Sequence, residues 1–218
     1  VVCDRAYNAP TFNPRSAEVR QNDNPLIASL DTLSSIGRKL LKLDAATAYT
    51  KLLVDSPGSS IAHTMLESIT PRDLIDGPIV SEEDAAGLLS GLWLRHDYLD
   101  ESHRISQQIQ TESGSMWHAI MHRREGDFSN SKYWYDRTED HLLYKTLAVR
   151  AGDVINPFPA DKSVFRIIAN GWNPQAFVDL VQQVHDKPND PRHPLAVMIQ
   201  EVEWQSLFEH CTRAASGK

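Results

Sequence analysis

Residues 91–137 read GLWLRHDYLDESHRISQQIQTESGSMWHAIMHRREGDFSNSKYWYDR. The stretch holds four of the nine histidines, His96, His103, His118 and His122, together with Asp97, Asp100, Glu101, Glu125, Arg123 and Arg124. Trp93, Trp117, Tyr133, Trp134 and Tyr135 lie among them. A core helix buries apolar side chains, and a surface helix spreads its charges in solvent. A run that interleaves imidazoles, carboxylates and indoles fits neither pattern.

Helix boundaries can be read around it. Ser81 with Asp84 three residues on, and Glu82 and Glu83 beside it, predicts a helix start that continues to about Gln108. Glu112-Ser113-Gly114 predicts a break, followed by a helix from about Ser115 to Glu125 that Gly126 ends. Ser129 or Asn130 would then cap a third helix reaching about His141.

At about 100° per residue, side chains can be assigned to faces. His96, Asp100 and His103, at i, i+4 and i+7, fall on or beside the apolar stripe of Ala85, Leu88, Leu92 and Leu99. Asp97, Glu101 and Arg104 form a separate, more exposed line. His118, His122 and Glu125 repeat the spacing beside Trp117, Ile120 and Met121. An antiparallel hairpin turning near Thr111 sets His103 opposite His118, Asp100 opposite His122 and His96 opposite Glu125.

Imidazoles and carboxylates projecting inward from facing helices are how bundles hold metal ions. This donor set suits a transition metal ion, Zn, Fe, Mn or Ni, better than Ca or Mg. His103, His118 and His122 are the first candidates as ligands, with His96, Asp100 and Glu125 next. Asp97 or Glu101 could orient a ligating histidine through its second nitrogen. Arg124 could grip the carboxylate or phosphate of a substrate, whereas Arg123 points away from the histidine face. Two other readings use the same residues: a structural polar network that only fixes helix register, and a metal-free pocket with a histidine as general base.

Outward from this centre, the remainder reads as helices. Leu26, Leu30, Leu33, Ile36, Leu40 and Leu43 have helical spacing, predicting a helix to about Val54 that is interrupted near Gly37 and stopped by Pro57-Gly58. Ser59 or Ser60 starts a shorter helix through Ile69, carrying His63 at its boundary. VFRIIANG, residues 164–171, reads as a strand or a buried helical turn. Pro174 suits the first turn of a helix to about His185, and a long last helix carries Leu195, Ile199, Val202 and Phe208. On it, Glu203 and His210 could bring a third helix to the site. Residues 1–25, with Pro10, Pro14 and Pro25, read as an extended arm preceding one all-α domain over 26–218, a mostly antiparallel helical bundle.

Composition narrows the function. A net charge of −7 argues against a nucleic-acid binder. No apolar run is long enough to span a membrane. Two cysteines, Cys3 and Cys211, have neither metal-type spacing nor the number for a disulfide framework, which fits a cytoplasmic setting. The expected partner is a small polar or anionic molecule.

Two resemblances bear on this. The segments HDYLDESHRISQ, WHAIMHRREGDFSNSKYWY and EVEWQSLFEHCTRAA resemble a bacterial family, without an assigned activity, marked by HDFLDESH and by WHxIxHRREPD followed by NxKYWF. The similarity covers roughly the C-terminal 130 residues; position 126 is Gly where that pattern has Pro. It implies a shared site and no particular reaction. His96-Asp97 is similar to the metal-binding pair of the HD phosphohydrolases, for which His63 would supply the first ligand and Asp140 or Asp179 the last. The glycine that usually follows the pair is missing, Tyr98-Leu99-Asp100 standing there instead. The expected activity is a metal-dependent enzyme, a hydrolase before a non-haem redox enzyme, with an HD-like phosphohydrolase or a non-catalytic interaction module as alternatives.

Overall fold

The computed structural model describes residues 30–158 and 161–218. The proposed N-terminal arm and Cys3 lie outside them. The fold is an all-helical bundle. Among the described residues there are ten α-helices: α1 Ser35–Lys42, α2 Ser60–Glu67, α3 Glu82–Arg95, α4 Leu99–Ser106, α5 Glu112–Glu125, α6 Phe128–Asp136, α7 Leu143–Ile155, α8 Lys162–Phe165, α9 Pro174–Val184 and α10 Arg192–Ser216. None of them is long and apolar enough to cross a membrane.

The centre of the bundle is α3, α5 and α10, around which the other helices pack. Trp117 of α5 and Trp204 of α10 meet there edge to face, both fully buried. Gly91 of α3 makes this possible. A Cβ at that position would fall 2.6 Å from the Trp117 ring, and its carbonyl accepts a 2.9 Å hydrogen bond from Trp204 Nε1. Any side chain at position 91 would push the two helices apart.

Several expected boundaries hold, and each has a cap behind it. Ser81 Oγ accepts from the Asp84 amide at 3.1 Å, and Asn173 Oδ1 from Ala176 ahead of Pro174 at 3.0 Å. The helix expected from Ser115 starts earlier, because Thr111 Oγ1 accepts from the Gly114 amide and fixes the first turn there. Asp127, rather than Ser129 or Asn130, caps α6 through the Asn130 amide. That helix ends at Asp136, not near His141. Residues 164–171 form no strand; Val164 and Ile167 are buried in helical turns.

Two expectations are overturned. The helix thought to reach Val54 stops at Lys42, and Asp44 and Tyr49 take left-handed backbone angles, φ 51° and 63°. Tyr49 is buried with the Arg124 guanidinium 4.2 Å above its ring, and the Lys51 carbonyl accepts from both Arg124 and Gln200. A continuous helix would have used that carbonyl internally. The helix expected from Ser81 to Gln108 is two helices, α3 and α4. Asp97, at φ 63°, turns the chain between them.

Candidate functional site

α4 and α5 are joined by the turn Gln107–Thr111, and this hairpin brings three imidazoles into one cluster. His103 comes from α4, His118 and His122 from successive turns of α5. Ring centroids are 4.7 Å apart for His103–His118, 5.2 Å for His103–His122 and 4.7 Å for His118–His122. Each ring offers a nitrogen within 4.8 Å of the others, and among the described residues this is the one cluster of three or more His, Cys, Asp or Glu so arranged. His118 and His122 are buried, and His103 is half-exposed at the edge.

The three rings differ in their partners. His118 has none for either ring nitrogen, although only 3% of its surface is exposed. Trp134 of α6 stacks on one face at 4.0 Å and His122 stacks nearly parallel at 4.7 Å. Burial, reinforced by repulsion from His122 and His103, pushes the His118 pKa down to about 3. It is therefore neutral at pH 7, with one N–H and one lone pair unmatched. Such an orphan costs roughly 1–3 kcal/mol unless something binds it.

His122 is better provided for. Its Nδ1 donates to Glu125 Oε2 at 3.0 Å, and Asn130 Nδ2 lies 3.1 Å from Nε2. Burial lowers its pKa, against the opposing pull of the Glu125 carboxylate. A carboxylate on Nδ1 fixes the tautomer and makes Nε2 the acceptor, here of the Asn130 amide; a carboxylate behind one ring nitrogen is the arrangement found with metal-ligating histidines.

The other predicted site residues go elsewhere. His96 follows the end of α3; its buried ring sits 3.2 Å from the Leu40 carbonyl, away from the three-histidine cluster, and burial lowers its pKa. The physical reason is the turn at Asp97, which swings His96 off the stripe that a continuous helix would have shared with His103. Asp100 is exposed and, with Asp97, Glu101 and His63, lines a surface cavity. Glu101 pairs with Arg104 at 2.8 Å. Neither Asp100 nor Glu101 has a ligand atom in the cluster.

Arg124 does not face an open site. Its fully buried guanidinium donates to the Leu94 carbonyl at 2.6 Å, the Lys51 carbonyl at 3.2 Å and Asp97 Oδ1 at 2.7 Å. It closes the C-terminal end of α3 and holds the turn that separates α3 from α4. Arg123, beside it, is also fully buried and ion-paired to Glu203 of α10, with Tyr135 bonded to both at 2.7 Å. Glu203 thus serves Arg123 and not the histidines.

The residues that would form an HD-type centre are dispersed. His63 packs against Trp93 and Tyr98 and pairs with Glu67, and Asp179 pairs with Lys132 at 2.5 Å. Asp140 lines a different cavity. His210 meets His141, whose Nδ1 accepts from the Leu143 amide at 3.1 Å. That tautomer makes His141 Nε2 the donor to Ser113 Oγ at 3.1 Å, the reverse of what activation of a serine nucleophile requires. Cys211 is fully buried, and burial drives its thiol pKa up.

Sequence reading missed Asn130 and Trp134 as members of the histidine site. The signal was present: four residues apart on α6, they share one helical face, and that face meets α5. Compared with family models, with curated proteins and with solved structures, the chain matches none.

Proposed function

We propose that His103, His118 and His122 bind a transition metal ion and that the protein is a metal-dependent enzyme acting on a small polar or anionic molecule. The observation that carries this reading is the convergence of three imidazoles around a buried ring, His118, that has no protein partner on either nitrogen. Three neutral nitrogen donors favour Zn, Fe or Ni over Mn, Ca or Mg. The ring nitrogens lie within 4.8 Å of one another, close enough that side-chain movement could bring all three onto one ion. His103, half-exposed on the short helix α4, is the ligand freest to move. Glu125 stands behind His122 as the carboxylate that orients it.

With His103, His118 and His122 as its holders, such an ion would supply the chemistry of a three-nitrogen site, Lewis-acid hydrolysis first and non-haem redox chemistry second. The test is elemental analysis of untagged protein purified without chelator. Close to one Zn, Fe or Ni per chain, lost in His118→Ala together with His122→Ala, supports the reading. Metal-free protein that takes up none of the three after reconstitution overturns it.

A second reading is favoured by one contact: Trp134 covers a face of His118 as it would a core side chain. Here the cluster is packing, the protein is a binding module, and the double substitution lowers stability without changing metal content.

A further inference from the structure

Two cavities, of about 310 and 340 Å³, share Leu142 and His210 in their walls, at the start of α7. They are opposite in charge. Asp84 and Glu112 line the first, and neither is ion-paired among the described residues. Burial holds the two histidines in that wall, His141 and His210, below the ordinary imidazole pKa, so at neutral pH the carboxylates set its sign. Arg150, Arg213 and Lys218 line the second. Against them stands one carboxylate, Glu209, which Arg150 meets at 2.8 Å and Arg213 at 3.5 Å.

The helix that starts at this divide leaves apolar side chains in solvent. α7 buries Leu143, Leu147, Ala151 and Ile155, about one residue per turn, and the opposite face of such a helix ordinarily carries polar groups. Leu142, just before its first turn, is 83% exposed. Val149, seven residues on and on the same side, is 67% exposed. A lone exposed leucine is ordinary. One flanked by hollows of opposite sign has the pattern of a binding face, an apolar centre with a polar rim.

The charges select the occupant. A partner of one sign, such as a nucleic acid or an anionic membrane, would gain at the basic hollow and lose at the acidic one. A second copy of this chain gains at both. In a two-fold dimer, residue i of one copy meets residue j of the other and j meets i. With the axis along the divide, each acidic hollow faces the other copy's basic one, and Leu142 faces Leu142. We propose that this face joins two copies of the chain in a two-fold dimer, with Leu142 packed at the axis and Asp84 and Glu112 set against Arg150, Arg213 and Lys218 on either side. The face contains none of the three clustered histidines, and the proposal does not depend on metal binding.

The test is sedimentation velocity on the full chain, from low to high micromolar concentration. The wild type should reach twice the 24.5 kDa chain mass. Leu142→Asp, at a side chain already in solvent, sets two carboxylates at the axis and should leave a monomer with unchanged helicity. Glu112 and Arg213 are exposed as well, so their variants should fold. Glu112→Lys and Arg213→Glu each bring like charges together on both sides of the axis and should weaken association about tenfold or more. An equimolar mixture of the two should associate again, because the mixed dimer has opposite charges on both sides. A wild type that stays monomeric throughout overturns the proposal and leaves the face to a partner of another kind. A dimer that survives Leu142→Asp, or a mixture no more associated than its components, also overturns it.

Discussion

α5 carries two buried polar clusters one turn apart, and they are built on opposite terms. At its C-terminal end, Arg123 and Arg124 are fully buried, and each has its charge answered, by Glu203 and Tyr135 for the first and by Asp97 and two backbone carbonyls for the second, with only the Nε–H of each left without a partner. On its other face, His118 is equally buried and has no answer at all. A polar group closed by its neighbours is part of the fold. One left open inside a bundle is where an outside ligand has something to gain. The two arginines therefore specify how α5 sits against α3, α6 and α10, and the histidines are the groups on which the proposed metal binding rests.

The largest effect should come from breaking the closed cluster. Glu203→Ala leaves the Arg123 guanidinium charged and unpaired in the core, and removing one partner of such a pair costs about 3–5 kcal/mol. Urea denaturation should show that loss, or an unfolded protein at 25 °C. A loss below about 1 kcal/mol would mean that the pair is not buried as described, and the contrast between the clusters would fail.

The open cluster should respond in the opposite direction. His118→Phe keeps a ring against Trp134 and removes two unpartnered polar atoms, so chelator-treated protein should gain about 1–3 kcal/mol. The same variant should lose metal. A destabilisation comparable to that of Glu203→Ala would show the histidines to be as structural as the arginines.

Acid separates the clusters again. His118 in the folded chain is held near pKa 3 against an ordinary value of 6.5, so between those values the unfolded chain binds the proton and the folded chain does not. Stability contributed by keeping it neutral is complete above about pH 6.5 and is lost as the pH falls towards 3. His141, near 4, acts in the same sense. Metal-free wild type should lose up to about 1.4 kcal/mol per pH unit for each such group across that window. His118→Phe should reduce the slope by close to one proton, read from denaturation midpoints between pH 4 and pH 7. An unchanged slope would place the His118 ring in water.

What could be read from the sequence divides along similar lines. Period and caps located α3, α5, α9 and α10, because those signals are local: Ser81, Asn173 and Pro174 act within one turn of where they stand. The meeting of His103 with His118 and His122 was also legible, since a short turn between two amphipathic segments leaves little choice of register. His96 was misplaced because the break at Asp97 has no local signature. Its left-handed turn is held by Arg124, 27 residues on, and by Tyr98, whose hydroxyl reaches back to the carbonyls of Gly58 and Ser59. Long-range hydrogen bonds of this kind decide whether an arginine is a substrate clamp or a helix cap. Spacing along one strand of sequence does not contain them. Gly126 makes the same point: it ends α5 at φ 91°, which proline cannot adopt, so a chain with Pro there must leave the helix by another path.

The smallest expected change is also the one that probes the boundary between the clusters. Asn130 is a fold residue by one atom and a site residue by another: its amide N–H is capped by Asp127, while Nδ2 lies 3.1 Å from His122 Nε2. If that nitrogen is a metal ligand, the side-chain amide competes with the metal for its lone pair. Asn130→Ala leaves the backbone cap intact and removes the competitor, so metal affinity should stay level or rise a few-fold, by less than about 1 kcal/mol. Competition with a chromophoric chelator measures this. A tenfold loss of affinity would instead make Asn130 a positive element of the site, its amide oxygen turned towards the metal, and would move α6 from the wall of the cluster into its ligand set.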